Sequence, residues 1–117
     1  MEYALLFYNG PPTEIPAAQR ERVIGDTMAE MRAWQESMRR EGVYKTGMRL
    51  AQVDTATSVR TSGGELIVVD GPFAETKEFL AGLVVIECAD LDAALAWAKK
   101  CPIARFGTVE VRPEYGS

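Results

Sequence analysis

The sequence has no histidine among its 117 residues. Histidine is the commonest general base near neutral pH and the commonest protein ligand of transition metals. Its absence excludes Ser-His-Asp and Cys-His catalytic arrangements, and a homo-oligomer cannot supply the missing residue because every copy lacks it. The charged motif described below must therefore work by carboxylate and lysine chemistry or not catalyse at all.

Cysteine is scarce, and no cofactor motif is present. Cys88 and Cys101 are the only cysteines, and their spacing matches neither a CxxC pair nor a zinc site. No P-loop and no G-x-G-x-x-G sequence occurs. We expect two reduced, partly buried thiols, no bound metal and no organic cofactor.

Long apolar runs and an excess of positive charge are also missing. No segment approaches transmembrane length, and Met1-Glu2-Tyr3 lacks the basic start of a signal peptide. The formal net charge is −4, which argues against direct nucleic-acid binding because phosphate neutralisation needs cations. These features predict a cytoplasmic protein with no membrane contact.

The length and the 47% hydrophobic content fit one globular domain that spans residues 1–117. Apolar periodicity predicts a long helix over 16–41 and a second helix that begins after its N-cap, Asp90, and ends near Lys99. Short apolar or alternating runs predict strands over 3–8, 43–51, 58–61, 65–69, 79–87 and 108–112. The first of these strands is apolar throughout, so we expect burial on both faces.

The first helix carries one apolar stripe, at Val23, Thr27, Met31, Trp34 and Met38. Spacings of three and four place these side chains on one helical face. A methionine and tryptophan stripe can resemble a ligand-binding surface, but helical spacing favours core packing against a sheet.

The predicted element order is β-α-β, an inserted β-hairpin, then β-α-β. This order indicates a ferredoxin-like α+β sandwich with two helices on one face of an antiparallel sheet. Two helices cannot cover both faces of such a sheet. We therefore expect two sheets to pair face to face in a homodimer.

The segment Asp70-Gly71-Pro72-Phe73 connects two predicted strands. Pro72 lacks an N–H and ends regular strand pairing, and Asp70 can accept hydrogen bonds from backbone N–H groups just downstream. We interpret the four residues as a stiff exit from a strand, after which Phe73 enters the core.

Charged residues follow this turn at Glu75, Lys77 and Glu78. Loops held by rigid strands often carry catalytic and binding residues, and a carboxylate beside an ammonium group can act as a base. A solvated loop with a weak surface salt bridge explains the same charges. The residues alone leave both interpretations open.

The strings VVDGPFAETKEFLAG, ADLDAALAWAKKCP and GTVEVRP, together with LLFY near the start, resemble the YCII-related family and specifically its DGPF branch. The resemblance covers nearly the whole chain. It implies a dimeric α/β barrel and a homodimer with a cleft near the sheet face. It also implies, for some members, a link to sigma-factor regulation. The histidine–aspartate pair proposed for some YCII-like proteins cannot operate in this chain.

We consider three hypotheses for function. In the first, the homodimer binds a small molecule, with Asp70 as a catalytic base or anchor, Glu75 and Lys77 as binding residues, and Tyr8 and Arg49 contributing from neighbouring strands. A tyrosine at a strand end is more often a packing residue, and solvation at a strand edge explains Arg49 equally well. The second is a non-catalytic regulatory or protein-interaction module linked to sigma-factor-type regulation. In the third, the motif is purely structural.

Overall fold

The computed structural model describes residues 1–74 and 76–116. Its two helices are α1 (Ala17–Arg40) and α2 (Leu91–Lys99). Its six strands are β1 (Glu2–Asn9), β2 (Tyr44–Arg49), β3 (Thr57–Ser62), β4 (Glu65–Asp70), β5 (Phe79–Glu87) and β6 (Thr108–Pro113). Short 3-10 helices cover Pro12–Glu14, Val53–Thr55 and Pro102–Arg105.

Four strands form one antiparallel sheet in the order β2-β5-β1-β6. The β3–β4 pair forms a separate two-stranded sheet. When the β3–β4 pair is left aside, the strand order is that of a ferredoxin-like fold, in which a strand of one βαβ unit lies between the two strands of the other unit. The predicted α+β fold is confirmed.

Both helices pack on one face of the four-stranded sheet, where the core lies. Leu5 of β1 and Val84 and Ile86 of β5 are fully buried beneath Met38 of α1. The ring of Trp34 meets Phe7 edge to face, with centroids 5.8 Å apart. The indole N–H of Trp34 donates to the Trp97 carbonyl at 3.1 Å, which joins the two helices.

The opposite face of the sheet, here called the open face, carries Ala4, Leu6, Met48, Leu83 and Val85. The strand register aligns Leu6, Leu83 and Met48 in one row, and Ala4 pairs with Val85 in the next. These side chains are half-buried or exposed, and Met48 is 63% exposed. The expectation that β1 is buried on both faces is therefore wrong for a single chain, because both helices lie on the other face.

The β3–β4 pair, here called the hairpin arm (residues 57–70), extends away from the main sheet. Its two-residue turn uses Gly63 and Gly64 at φ 59° and 83°, the left-handed geometry that matches the twist of paired strands. At its root, the Gly71 N–H donates to the Ala56 carbonyl at 2.7 Å and the Ser58 hydroxyl to the Gly71 carbonyl at 2.8 Å.

β4 ends at Asp70, as the predicted exit from a strand requires, and hydrogen bonds to the Asp70 carboxylate stay a prediction. The prediction that Phe73 enters the core is wrong. Phe73 is 85% exposed. Because β4 pairs only with β3 in its own sheet, the chain leaving β4 emerges beside solvent rather than beside the helices.

Among the described residues, neither helix combines the length and the apolar character needed to span a bilayer.

Candidate functional site

A cleft of about 750 Å³ opens between α1 and the β2–β5 side of the main sheet. We call it the helix–sheet cleft. Its volume lies in the range of small-molecule sites in proteins. Its walls come from α1, from the segments after β1 and β2, and from the start of β5. The lining residues include Phe7, Asn9, Glu14, Val23, Ile24, Thr27, Met28, Met31, Arg32, Gln35, Arg39, Tyr44, Gly47, Arg49, Phe79, Gly82 and Phe106.

The floor of the cleft is a row of three residues from three strands. Phe7 of β1 pairs with Gly82 of β5, which pairs with Arg49 of β2. Directly paired residues in an antiparallel sheet point to the same face, here the face that α1 covers. Gly82 has no side chain, and a Cβ built there would lie 3.6 Å from the Phe7 ring and 3.4 Å from the Arg49 Cα, so both neighbours lie close to the glycine.

Gly82 is also required by the close approach of two strands. A Cβ built at this position would lie 2.8 Å from the Met48 carbonyl oxygen, closer than real Cβ atoms approach backbone. A glycine at this position therefore permits the close β2–β5 pairing.

Three arginines line the cleft, and they differ in their partners. Arg39 lies over the Tyr44 ring at 4.3 Å and forms an ion pair with Glu36 at 3.6 Å. Arg32 and Arg49 have no ion-pair partner among residues 1–74 and 76–116, and both are exposed. Two guanidinium groups therefore remain available to an anion at the edge of this cleft.

The rest of the lining is largely apolar. Val23, Ile24 and Met28 of α1 are half-buried and face the cleft, beside the buried Met31. Phe79 of β5 adds an aromatic side chain. An apolar body with an acidic group at one end matches this combination of walls and arginines.

The structure separates the residues that the sequence predicted as one site. Arg49 lies in the helix–sheet cleft. Tyr8 lies on the open face, where its hydroxyl donates to the Glu110 carboxylate at 3.4 Å. Asp70 ends β4 opposite Thr57, and both Asp70 and Lys77 are exposed and outside the cleft lining.

The predicted loop has two further charged residues, Glu78 and Glu75. The carboxylate of Glu78 accepts a hydrogen bond from the Thr108 hydroxyl at 2.9 Å, which joins the start of β5 to the start of β6. Glu75 lies outside the described residues.

Sequence reasoning missed most of the cleft. It assigned the whole α1 stripe to the core, whereas only Met31, Trp34 and Met38 are buried and Val23 and Thr27 line the cleft. One signal was available, because a 24-residue helix is about 36 Å long and an eight-residue strand only about 27 Å. About 9 Å of α1, or roughly six residues, must therefore extend beyond the strand that it covers.

Both thiols are free, as the sequence predicted, and burial raises the pKa of each. Cys101 is only 2% exposed, and burial raises the pKa of its thiol to about 11. Cys88 is half-buried, and burial raises the pKa of its thiol as well. In the described part of the chain, no three cysteine or acidic side chains converge as a metal site would require.

Comparisons with known proteins agree with this architecture. A YCII-related domain model matches residues 1–114. An uncharacterised protein of Rhizobium meliloti (strain 1021), R00369, is 41% identical over 117 residues, covering 97% of this chain and 91% of that protein.

A solved structure shares the fold. It is 5-chloro-2-hydroxyhydroquinone dehydrochlorinase (TftG) from Burkholderia phenoliruptrix AC1100, in complex with 2,5-dihydroxybenzoquinone. It superposes with a TM-score of 0.53 at 12% identity, covering 100% of this chain and 96% of that one. The match of the domain model along almost the entire sequence, supported by the 41% identical relative, establishes that the chain belongs to the YCII-related domain family.

Proposed function

We propose that this protein binds a small organic anion with an apolar body in the helix–sheet cleft, and that it does so as a homodimer. The observation that carries the proposal is the floor row of Phe7, Gly82 and Arg49. It places an aromatic ring, a glycine and a guanidinium side by side at the base of a 750 Å³ cleft, and this guanidinium has no ion-pair partner among residues 1–74 and 76–116.

Charge supports an anionic ligand. The chain as a whole is acidic, with a formal net charge of −4, yet Arg32 and Arg49 both line this cleft. Arginine binds carboxylates and similar planar anions through two parallel hydrogen bonds, and these charge-assisted bonds are stronger than neutral ones.

The homodimer is supported by the open face. Apolar rows at Leu6, Leu83 and Met48, and at Ala4 and Val85, cross the sheet without a covering helix. Burial of such a face against a second copy would remove apolar surface from water, and a two-fold axis lets both copies use the same face.

Catalysis by carboxylate and lysine chemistry, with Asp70 and Lys77, stays a separate prediction. Both side chains are exposed and lie outside the cleft lining. The proposed function therefore rests on binding, and Asp70 and Lys77 enter it only if a ligand is found at the root of the hairpin arm. The regulatory alternative rests on the family resemblance and also stays a prediction.

Isothermal titration with 2,5-dihydroxybenzoquinone tests the proposal. This molecule is the ligand named for the TftG structure, and its acidic hydroxyl groups make it a planar organic anion at neutral pH. Neutral hydroquinone serves as the matched ligand. We expect the wild-type protein to bind the anion and to bind hydroquinone at least about tenfold more weakly, because one charge-assisted hydrogen bond contributes about 1.5–3 kcal/mol.

Arg49→Ala should weaken binding of the anion about tenfold or more for the same reason. Arg22→Ala is the matched control, since Arg22 is an exposed α1 arginine outside the cleft lining, and its affinity should equal that of the wild type. Equal affinities for Arg49→Ala and the wild type, or no binding of the anion by the wild type, would contradict the proposed function.

A further inference from the structure

One face of the hairpin arm carries an exposed apolar stripe. Val59 pairs directly with Val68, and Thr61 pairs with Leu66, so these side chains share a face. Val59, Val68 and Leu66 are 66%, 70% and 76% exposed. Surface-exposed strands usually place polar residues on their solvent face, so this stripe is unusual for a face that stays in water.

The arm has little support from its own chain. Within the described residues, neither β3 nor β4 packs extensively on a helix or on the main sheet, and the main contacts of each strand are with the other. An isolated two-stranded hairpin is marginally stable in water, and stable hairpins pack against a third element. The arm therefore lacks a partner surface within one chain.

The whole molecule exposes more surface than its mass requires. Its accessible surface is 8041 Å², whereas a compact monomer of 12.9 kDa exposes about 6,300 Å². Its radius of gyration is 16.2 Å, compared with about 13.4 Å for a compact domain of this length. The excess of about 1,700 Å² is larger than the roughly 800 Å² that each partner buries in a standard protein interface.

We propose that the hairpin arm is an intersubunit arm, which docks the face carrying Val59, Leu66 and Val68 onto a second copy of this chain. A second copy is the occupant that the geometry favours, because a two-fold axis makes each arm cover the other copy and leaves neither arm unpartnered. The inference rests on the homodimer of the proposed function and adds the element that holds the two copies together.

The test is a triple variant, Val59→Thr, Leu66→Thr and Val68→Thr, measured by sedimentation equilibrium over a concentration series. Threonine keeps the β-propensity of the strands while removing their apolar contact surface. The matched control replaces two residues of the other face of the same strands, Arg60→Thr and Glu65→Thr. We expect the triple variant to dissociate at least about 100-fold more readily than the wild type, and the control to remain dimeric.

If the triple variant dimerises as strongly as the wild type, the proposed role of the hairpin arm is wrong and the proposed homodimer still stands. A monomeric wild type would overturn both. The affinity of the wild-type protein for the ligand is measured separately by titration. If the wild type does not bind the ligand, the proposed function is contradicted, but the proposal for the hairpin arm is not affected.

Hydrogen exchange of the wild-type protein provides a second measurement in case the triple variant fails to fold. Backbone amides of residues 57–70 should be protected at high protein concentration and should lose protection on dilution below the dissociation constant. Exchange in the arm that is fast at every concentration would overturn the inference.

Discussion

At the residue scale, single side chains decide both the shape and the charge of the cleft. Gly82 lets β2 and β5 approach closely, and Arg49 on the neighbouring strand supplies a cation with no ion-pair partner among residues 1–74 and 76–116. Neither residue belongs to a local motif. Their relationship exists only because β2 and β5, which are separated by the whole hairpin arm, pair in one register.

Thiol reactivity gives a test at this scale. The thiolate is the reactive form of cysteine, and burial raises the pKa of the Cys101 thiol to about 11. At pH 8 we expect Ellman's reagent to label the half-buried Cys88 and to leave Cys101 unmodified until the protein unfolds. Mass spectrometry of the labelled peptides identifies the site, with a denatured sample as the control. Labelling of Cys101 in the native protein as fast as that of Cys88 would show that the α2–core packing is wrong.

At the element scale, the sequence predicted the strands and helices well because each follows a local rule. The bounds of β5 were predicted without error, and α2 begins after Asp90 as its capping chemistry requires. The exposure of Phe73 could not be predicted in this way, since it depends on which sheet β4 joins. The cleft likewise depends on how far α1 extends beyond β1, and the apolar periodicity of the sequence does not give that distance.

The cap of α2 is directly testable. The Asp90 carboxylate accepts a hydrogen bond from the Ala93 N–H at 2.9 Å, and loss of such a cap costs about 1 kcal/mol. We expect Asp90→Ala to lower the free energy of unfolding in urea by about that amount. Asp92→Ala removes a charge from the same first turn without removing the cap, and its effect should be at most about half as large. Equal effects of the two substitutions would contradict the assignment of the cap.

At the scale of the whole molecule, the chain is flat, with extents of 47 × 46 × 18 Å. One face of its sheet and one face of its hairpin arm are apolar and uncovered. The hairpin arm contributes no residue to the lining of the helix–sheet cleft, whereas Met48 and Leu83 belong to both the open face and that lining. The sequence predicted the homodimer from the shortage of helices, but the arm became visible only once β3 and β4 were seen to form their own sheet.

The central claim is that the ligand site is the helix–sheet cleft rather than the charged loop that follows Asp70. An NMR titration of ¹⁵N-labelled protein with 2,5-dihydroxybenzoquinone tests it most directly, because backbone amide shifts locate the bound molecule along the chain. We predict that the largest shifts fall on the floor and wall of the cleft, at Gly82, Arg49 and Met28. Shifts concentrated at Asp70 and Lys77 would place the site at the root of the hairpin arm and contradict the account.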